Sequence, residues 1–357
     1  MNNNGNFDMI TKKIFSIILI FLFSFSFVSC FSTDDNPRSI TRYGMFDTYT
    51  TVQSYGNDSD ENFKDITEQV FDILEYYNRQ FDIYNEYKGI NNLCTVNKNA
   101  GIAPVKVDRE LIDFLEYAID ICNRCNGEIN IAMGSVLSLW HEARENAASS
   151  SIIELPTSDE LEQAGKHTDI NSVVIDKDTS TVYISDAETS IDVGAIGKGY
   201  AVMKATEYLR EISNCNGYVI NAGGNISLLG TKDDGSGWIT GITNPDKSAQ
   251  NQFAMRVKIQ NTCCVTSGNY ERYFEYNGEI YHHIIDKDTL YPAQYFSSVT
   301  VICDDGGLAD ALSTALFCMS INEGRALLAQ FDGVDVVWIT LDGVIEKTAG
   351  IDDIALS

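Results

Sequence analysis

The chain has 357 residues, of which 25 are Lys or Arg and 51 are Asp or Glu, giving a formal charge of −26. A hydrophobic content of 44% supports one large core or two ordinary ones and excludes a disordered chain. The acid excess excludes a basic patch as a means of holding nucleic acid or an anionic membrane surface, so an anionic ligand needs locally placed cations or a metal.

Residues 1–29 read as a targeting segment. Lys12 and Lys13 form a short positive flank, followed by an apolar run from Ile14 to Val28 that is too short for a comfortable membrane span. Ser29 directly before Cys30 resembles a bacterial lipobox, with Phe27 where leucine is usual. Cys30 is therefore the expected lipidated N-terminus and residues 30–40 a polar tether, with the protein held by lipid on the extracytoplasmic face of the cell membrane. An ordinary cleaved signal peptide is the alternative.

Beyond the tether, Met45 to Val52 alternates like a strand, and residues 61–80 carry Phe63, Ile66, Val70, Ile73, Leu74 and Tyr77 at helical spacing. A second helix is predicted from about Asp108 to Cys125, stopped by Asn126-Gly127. Cys122 and Cys125 are formally a C-x-x-C pair, but they continue the apolar stripe of Leu111, Leu115 and Ala118 and are expected in the core. No second such pair completes a zinc set, and the remaining cysteine spacings suggest no disulfide framework. Thr157-Ser-Asp-Glu160 is a capping box opening a short helix, and Val173–Ile175 with Val182–Ile184 read as a hairpin. A glycine run leads into a helix from Lys198 to Ile212, then the strand Tyr218–Ile220 and the turn Asn221–Gly224. Further strands are predicted at 238–242, 253–260, 272–276, 297–303 and 334–341. Helices and strands interleave without a repeat or a linker, which predicts one compact α+β (mixed α/β) domain over residues 41–352 with mostly antiparallel strands.

Several motifs carry chemistry, each with a plainer alternative. Asp310 and Thr314 stand four apart on a predicted helix that begins at Gly306-Gly307, so a carboxylate and a hydroxyl share one face and offer Mg2+ the hard oxygens it prefers. They could equally be an N-terminal cap and a back-bonded hydroxyl. Glycines at 194, 197 and 199 with Lys198 suit an anion at a helix mouth, yet match neither common phosphate-loop pattern; a tight strand-to-helix turn explains them as well. Asp192 just before could bind a hydroxyl or cap the turn. Thr266-Ser267-Gly268 and Asn221–Gly224 are by default turns. His282 and His283 are adjacent, so on a strand only one of them faces a given site.

Taken together and in order, these motifs resemble the FAD:protein FMN transferase, or ApbE, family over most of residues 43–335. The carrying segments are Phe46-Asp-Thr48, Tyr84 with Asn97, Gly127-Glu-Ile-Asn130, Asp192 to Gly199, Asn221-Ala-Gly-Gly224, Thr266-Ser-Gly268, His283-Ile-Ile-Asp286 and Ala309 to Thr314. The resemblance implies an Mg2+ held by the backbone carbonyl of Ala195, the carboxylate of Asp310 and the hydroxyl of Thr314. It implies an FAD site using Met45, stacking on Tyr84, the segment Glu128-Ile129-Asn130, Asp192 and Lys198, with Thr266, Ser267 and the strand His283-Ile284-Ile285 closing over the dinucleotide. The implied reaction is attack by a threonine hydroxyl of an acceptor flavoprotein on the FMN-side phosphorus of FAD, with loss of AMP. His283, with a pKa near working pH, is the expected proton acceptor, ahead of Asp286 or Asp310.

Three departures from the family pattern stand out. Asp286-Lys-Asp-Thr-Leu290 lacks a proline and a glycine usual there, so that loop, which bears on acceptor docking, is expected to turn differently. Asn130 replaces a frequent aspartate, and Gly197 a usual alanine. Rival readings are an Mg2+-dependent FAD pyrophosphatase, in which water replaces threonine, and a flavin-binding lipoprotein without catalysis. The acceptors that the resemblance suggests are flavoproteins of respiratory or extracytoplasmic electron transfer.

Overall fold

Eight strands paired antiparallel throughout make one sheet, in the order β1 (Arg38–Tyr43), β2 (Tyr49–Ser54), β6 (Tyr218–Ala222), β7 (Asn225–Leu229), β10 (Cys263–Gly268), β13 (Phe296–Cys303), β14 (Asp335–Thr340) and β15 (Ile345–Lys347). The computed structural model describes residues 37–356 apart from 57, 150–152, 213–216 and 233; the leader, Cys30 and most of the tether lie outside the described residues. The chain opens with β1 (Arg38–Tyr43), β2 (Tyr49–Ser54), α1 (Asp60–Phe81), α2 (Leu93–Lys98), β3 (Val105–Lys106) and α3 (Arg109–Arg124). Next come α4 (Gly134–Ser149), α5 (Ser158–Ala164), β4 (Val173–Asp176), β5 (Thr181–Ile184) and α6 (Gly197–Ile212). The strands β6 (Tyr218–Ala222), β7 (Asn225–Leu229), β8 (Trp238–Thr243), β9 (Phe253–Ile259), β10 (Cys263–Gly268), β11 (Tyr273–Tyr276), β12 (Glu279–His282) and β13 (Phe296–Cys303) follow. The chain closes with α7 (Gly306–Phe317), α8 (Ile321–Leu328), β14 (Asp335–Thr340), β15 (Ile345–Lys347), α9 (Ile351–Ile354) and β16 (Ala355–Leu356).

Both faces of the central sheet are covered, and the period-two alternation of its strands feeds two cores. Val299, Val301 and Cys303 of β13, with Tyr218, Ile220 and Ala222 of β6, join the large core under α1, α3, α6 and α7. The intervening Ile302 and Val219 turn to the opposite face and pack with Trp238, Val257 and Ile351 from the β8-β9-β16 layer and α9. Helix α7 is buried nearly all round, so its apolar pattern has little one-sidedness. A third, smaller cluster of Met133, Val136, Trp140, Leu161 and Ile285 lies under α4 and α5, with Tyr281 of β12 and Leu290 packed against it.

Most predicted elements stand where expected, including the α5 capping box with both reciprocal bonds formed. Cys122 and Cys125 are buried in the large core, as the stripe predicted. Four readings need correction. Met45 to Asp47 is a single 3-10 turn rather than strand, with Phe46 at φ 53° and Asp47 at φ 54°. Tertiary bonds draw that backbone off the sheet: the Phe46 N–H donates to Asn78 Oδ1 at 2.7 Å, and Arg272 donates to the Phe46 carbonyl at 3.0 Å. Strand β1 begins at Arg38, inside the segment read as tether, because it pairs with β2 from Arg38↔Ser54 to Tyr43↔Tyr49. Helix α4 escaped the periodicity reading since only Gly134, Val136, Trp140 and Ala143 are buried along its length. Strand β12 ends at His282, so His283 to Ile285 is irregular backbone apart from an isolated bridge between Ile285 and Pro292.

Candidate active site

The glycine run folds as a tight turn into α6, where the Val193 carbonyl accepts from Ile196 and Gly197. Helix α6 then meets α7 backbone to backbone. A Cβ on Gly199 would lie 2.2 Å from the Gly306 carbonyl oxygen and 2.6 Å from Asp310 Cβ, so no other residue fits there. At this crossing the Gly199 N–H, whose regular helical partner would be the Ala195 carbonyl, donates to Asp310 Oδ2 at 2.9 Å. Lys198 Nζ stands 3.9 Å from Asp310 Oδ1. Asp310 is buried in the helix interior, and the cap is Asp305, which accepts from Leu308 N–H and from the Tyr117 hydroxyl. Thr314 is not back-bonded to Asp310: Ser313 Oγ donates to the Asp310 carbonyl at 2.9 Å, and Thr314 Oγ1 faces Ser267 Oγ at 3.4 Å.

These features fit a hard cation. Asp310 contributes its Oδ1, the Ala195 carbonyl lacks its usual helical donor, and the Thr314 hydroxyl is diverted from its own helix. No group of three or more His, Cys, Asp or Glu that could hold a metal occurs among the described residues, so the set would rest on one carboxylate with neutral oxygens.

A second group centres on Tyr84. The Tyr84 ring, 58% exposed, stacks on His141 at 5.0 Å and 29°. Arg144 Nη2 donates to His141 Nδ1 at 2.7 Å, so that nitrogen is unprotonated and the imidazole neutral; burial and Arg144 both lower its pKa. Asp192 Oδ1 accepts from Gly194 N–H at 2.8 Å; burial raises its carboxyl pKa, against the pull of His141, Arg272 and Arg144. Asn97 braces the backbone before it, bonding the Ile191 N–H and carbonyl at 2.8 and 2.9 Å.

His283 departs from expectation. Its Nδ1 is buried without a partner, and burial, then Arg272 and Lys198, push its pKa down to about 3. The ring is therefore neutral well below working pH. An unfolded chain would bind that proton near pH 6.5, so the folded state loses stability as pH falls from about 6.5 towards 3, by about 1.4 kcal/mol per pH unit for this group. His283→Gln is expected to flatten the decline of the thermal midpoint between pH 6.5 and 5; parallel midpoint curves for both proteins would contradict the buried neutral ring.

Other predicted residues are near but differently employed. Met45, Ile129 and Ile284 are buried, and Met45, Ile129 and Ile284 all belong to the large core. Asn130 is committed at both ends, donating to Thr168 O at 2.7 Å and accepting from Ala132 N–H at 2.9 Å. Thr266 Oγ1 bonds Thr300 Oγ1 at 2.8 Å, and Ser267 Oγ bonds Ser313 Oγ at 2.7 Å. Glu128 lies 3.5 Å from Lys287, and Asp286 Oδ1 staples the next turn by accepting from the Asp288 and Thr289 N–H groups. The loop expected to turn differently closes with Leu290 at φ 61°, a leucine in the left-handed region, held by Trp140 Nε1 donating to its carbonyl at 2.8 Å. His141, Arg144, Arg272 and Ser313 were not found from sequence. The i,i+3 spacing of His141 and Arg144 was their signal, hidden with the helix that carries it.

The ApbE family profile matches residues 46–338. The FAD:protein FMN transferase of Treponema pallidum is 34% identical over 300 residues, 80% of this chain and 80% of that one. That of Klebsiella pneumoniae is 29% identical over 276 residues, covering 77% and 82%. Among solved structures, the ApbE protein of Thermotoga maritima superposes with a TM-score of 0.78 at 26% identity, over 90% of this chain and all of that one (100%). The apo flavinyl transferase ApbE of Pseudomonas stutzeri shares the fold with a TM-score of 0.72 at 22% identity, over 90% and 98%.

Proposed function

The chain belongs to the ApbE family, and from that membership we infer an enzyme that transfers FMN from FAD to protein. The observation that carries the reading is the meeting of Lys198, the Gly199 N–H and Asp310 at one helix crossing. A cation and a buried carboxylate meet there in a very acidic protein. We propose that Asp310, Thr314 and the Ala195 carbonyl hold Mg2+, which when bound would neutralise charge on the pyrophosphate of FAD.

The chain's own groups divide the remaining work. Tyr84 offers a flat face to a planar ring, with His141 fixed behind it by Arg144. Lys198 supplies positive charge for the phosphates. The acceptor threonine oxygen bonds the FMN-side phosphorus as the bridging P–O bond breaks, and the departing electron pair leaves on AMP. The threonine proton goes to His283 Nε2, since Nδ1 is shut from solvent. Burial, then Arg272 and Lys198, depress this imidazole, and the anionic phosphates of FAD would offset the two charges but not the burial.

Acceptors are proposed to be flavoproteins of respiratory or extracytoplasmic electron transfer. Lipid anchoring at Cys30 on the extracytoplasmic face is proposed from the leader alone: Lys12-Lys13, the apolar run and Ser29-Cys30. No helix among the described residues is long and apolar enough to cross a membrane.

The test mixes the protein with FAD, Mg2+ and an extracytoplasmic flavoprotein bearing an acceptor threonine, and follows intact acceptor mass and AMP. A metal-dependent gain of one FMN with matching AMP is expected; AMP with free FMN alone would replace the transferase with a pyrophosphatase. Tyr84→Ala is expected to weaken FAD binding about fivefold or more, roughly 1 kcal/mol, through lost stacking. An unchanged FAD titration would remove Tyr84 from the site.

A further inference from the structure

A hydroxyl that ligates a cation must present a lone pair to it, and therefore needs somewhere else to send its proton. Threonine inside a helix ordinarily sends it to the carbonyl one turn back. For Thr314 that is Asp310, whose carbonyl already accepts from Ser313 Oγ at 2.9 Å. Ser313 has a single hydroxyl proton and spends it there, so in its contact with Ser267, at 2.7 Å, Ser267 must be the donor. Ser267 then has only lone pairs left for its other neighbour, Thr314 Oγ1, at 3.4 Å. The hydrogens run one way, from Thr314 to Ser267 to Ser313 to the Asp310 carbonyl. Ser313 is fully buried, and Ser267 sits at the end of β10, so a strand and a helix hold the chain of hydroxyls in register.

We propose that Ser267 and Ser313 are positioning residues that fix the Thr314 hydroxyl with its lone pairs turned to a divalent cation. This rests on the metal reading above. It also moves Ser267 from covering the dinucleotide to orienting a ligand, and it gives a role to Ser313, which stands inside the Ala309 to Thr314 motif without an assigned part.

The experiment is a Mn2+ titration of the full chain with FAD present, followed through the electron paramagnetic resonance signal of the free ion, alongside thermal unfolding. Ser267→Ala and Ser313→Ala are each expected to raise the Mn2+ dissociation constant about five- to tenfold, approaching Thr314→Val. Ser267→Thr, which keeps a hydroxyl, is expected to bind Mn2+ as the unaltered chain does. Loss in Ser267→Thr equal to that in Ser267→Ala would overturn the relay, because packing and not the proton would then be responsible. Normal Mn2+ affinity in both alanine variants with weakened Thr314→Val would overturn the relay while leaving the metal ligands standing. An unaltered chain with no saturable Mn2+ binding would overturn the metal reading and the relay with it.

Discussion

Asp310→Asn is expected to fold normally and to lose FMN transfer by at least about 10²-fold, the scale seen when a preorganised electrostatic group is removed from a reacting phosphate or oxyanion. Asparagine keeps the shape and one oxygen, which can still accept from the Gly199 N–H that Asp310 Oδ2 now receives at 2.9 Å. Its amide nitrogen then takes the place of Oδ1, facing the Lys198 ammonium with no charge to offer a cation. Chemistry is lost and structure kept. Asp310→Ala separates the two less cleanly, because a buried N–H without an acceptor costs about 1–3 kcal/mol on its own. AMP release measured beside the thermal midpoint reads both quantities. Activity of Asp310→Asn within tenfold of the unaltered chain, at ordinary Mg2+, would remove this carboxylate from the metal site.

Gly199→Ala is expected to do the reverse, destroying activity by opening the fold. The added methyl would meet the Gly306 carbonyl oxygen at 2.2 Å and Asp310 Cβ at 2.6 Å. Neither can rotate away, since one is backbone and the other is the root of a side chain pinned by two partners. Overpacking costs about 1–3 kcal/mol where side chains can give, and a backbone collision belongs at or above the top of that range. The thermal midpoint should fall by about 4–5 °C or more, with transfer activity falling further because α6 and α7 part at the carboxylate. A midpoint within 1–2 °C of the unaltered chain would show that the helices can separate without loss.

The fold was legible wherever one pattern dominated. Helices α1 and α3 have clear apolar stripes, and β13 and β14 are β-branched runs buried on both faces, so each was read nearly to its ends. Helix α4 was not, because few of its side chains are buried; Met45 to Asp47 was misread because its shape is set by Asn78 and Arg272, far away in sequence. For the proposed site, order and spacing of motifs singled out Asp310, Thr314, Lys198 and Asp192, of which the fold brings Lys198 to 3.9 Å from Asp310. They could not locate His141, Arg144 and Arg272, which reach it from a concealed helix and from the start of a hairpin, nor the acidity of His283, which depends on burial and on charges that only the folded chain assembles. Gly306 does open a helix as read, and what the sequence did not disclose is that Gly199 and Gly306 also let two helices touch.

The Leu290 turn has a consequence for how this protein can change. The loop from Asp286 to Leu290, tied to acceptor docking by resemblance, rests through Trp140 and Leu290 on the small cluster beneath α4 and α5, while Asp310 is seated in the large core. Clusters of that size open at lower free energy than a main core. On the roles proposed above, the acceptor loop and the His141–Arg144 pair of α4 share the smaller foundation while Asp310 stands on the larger, so rebuilding the smaller one would alter acceptor docking and the flavin platform together and leave the carboxylate in place.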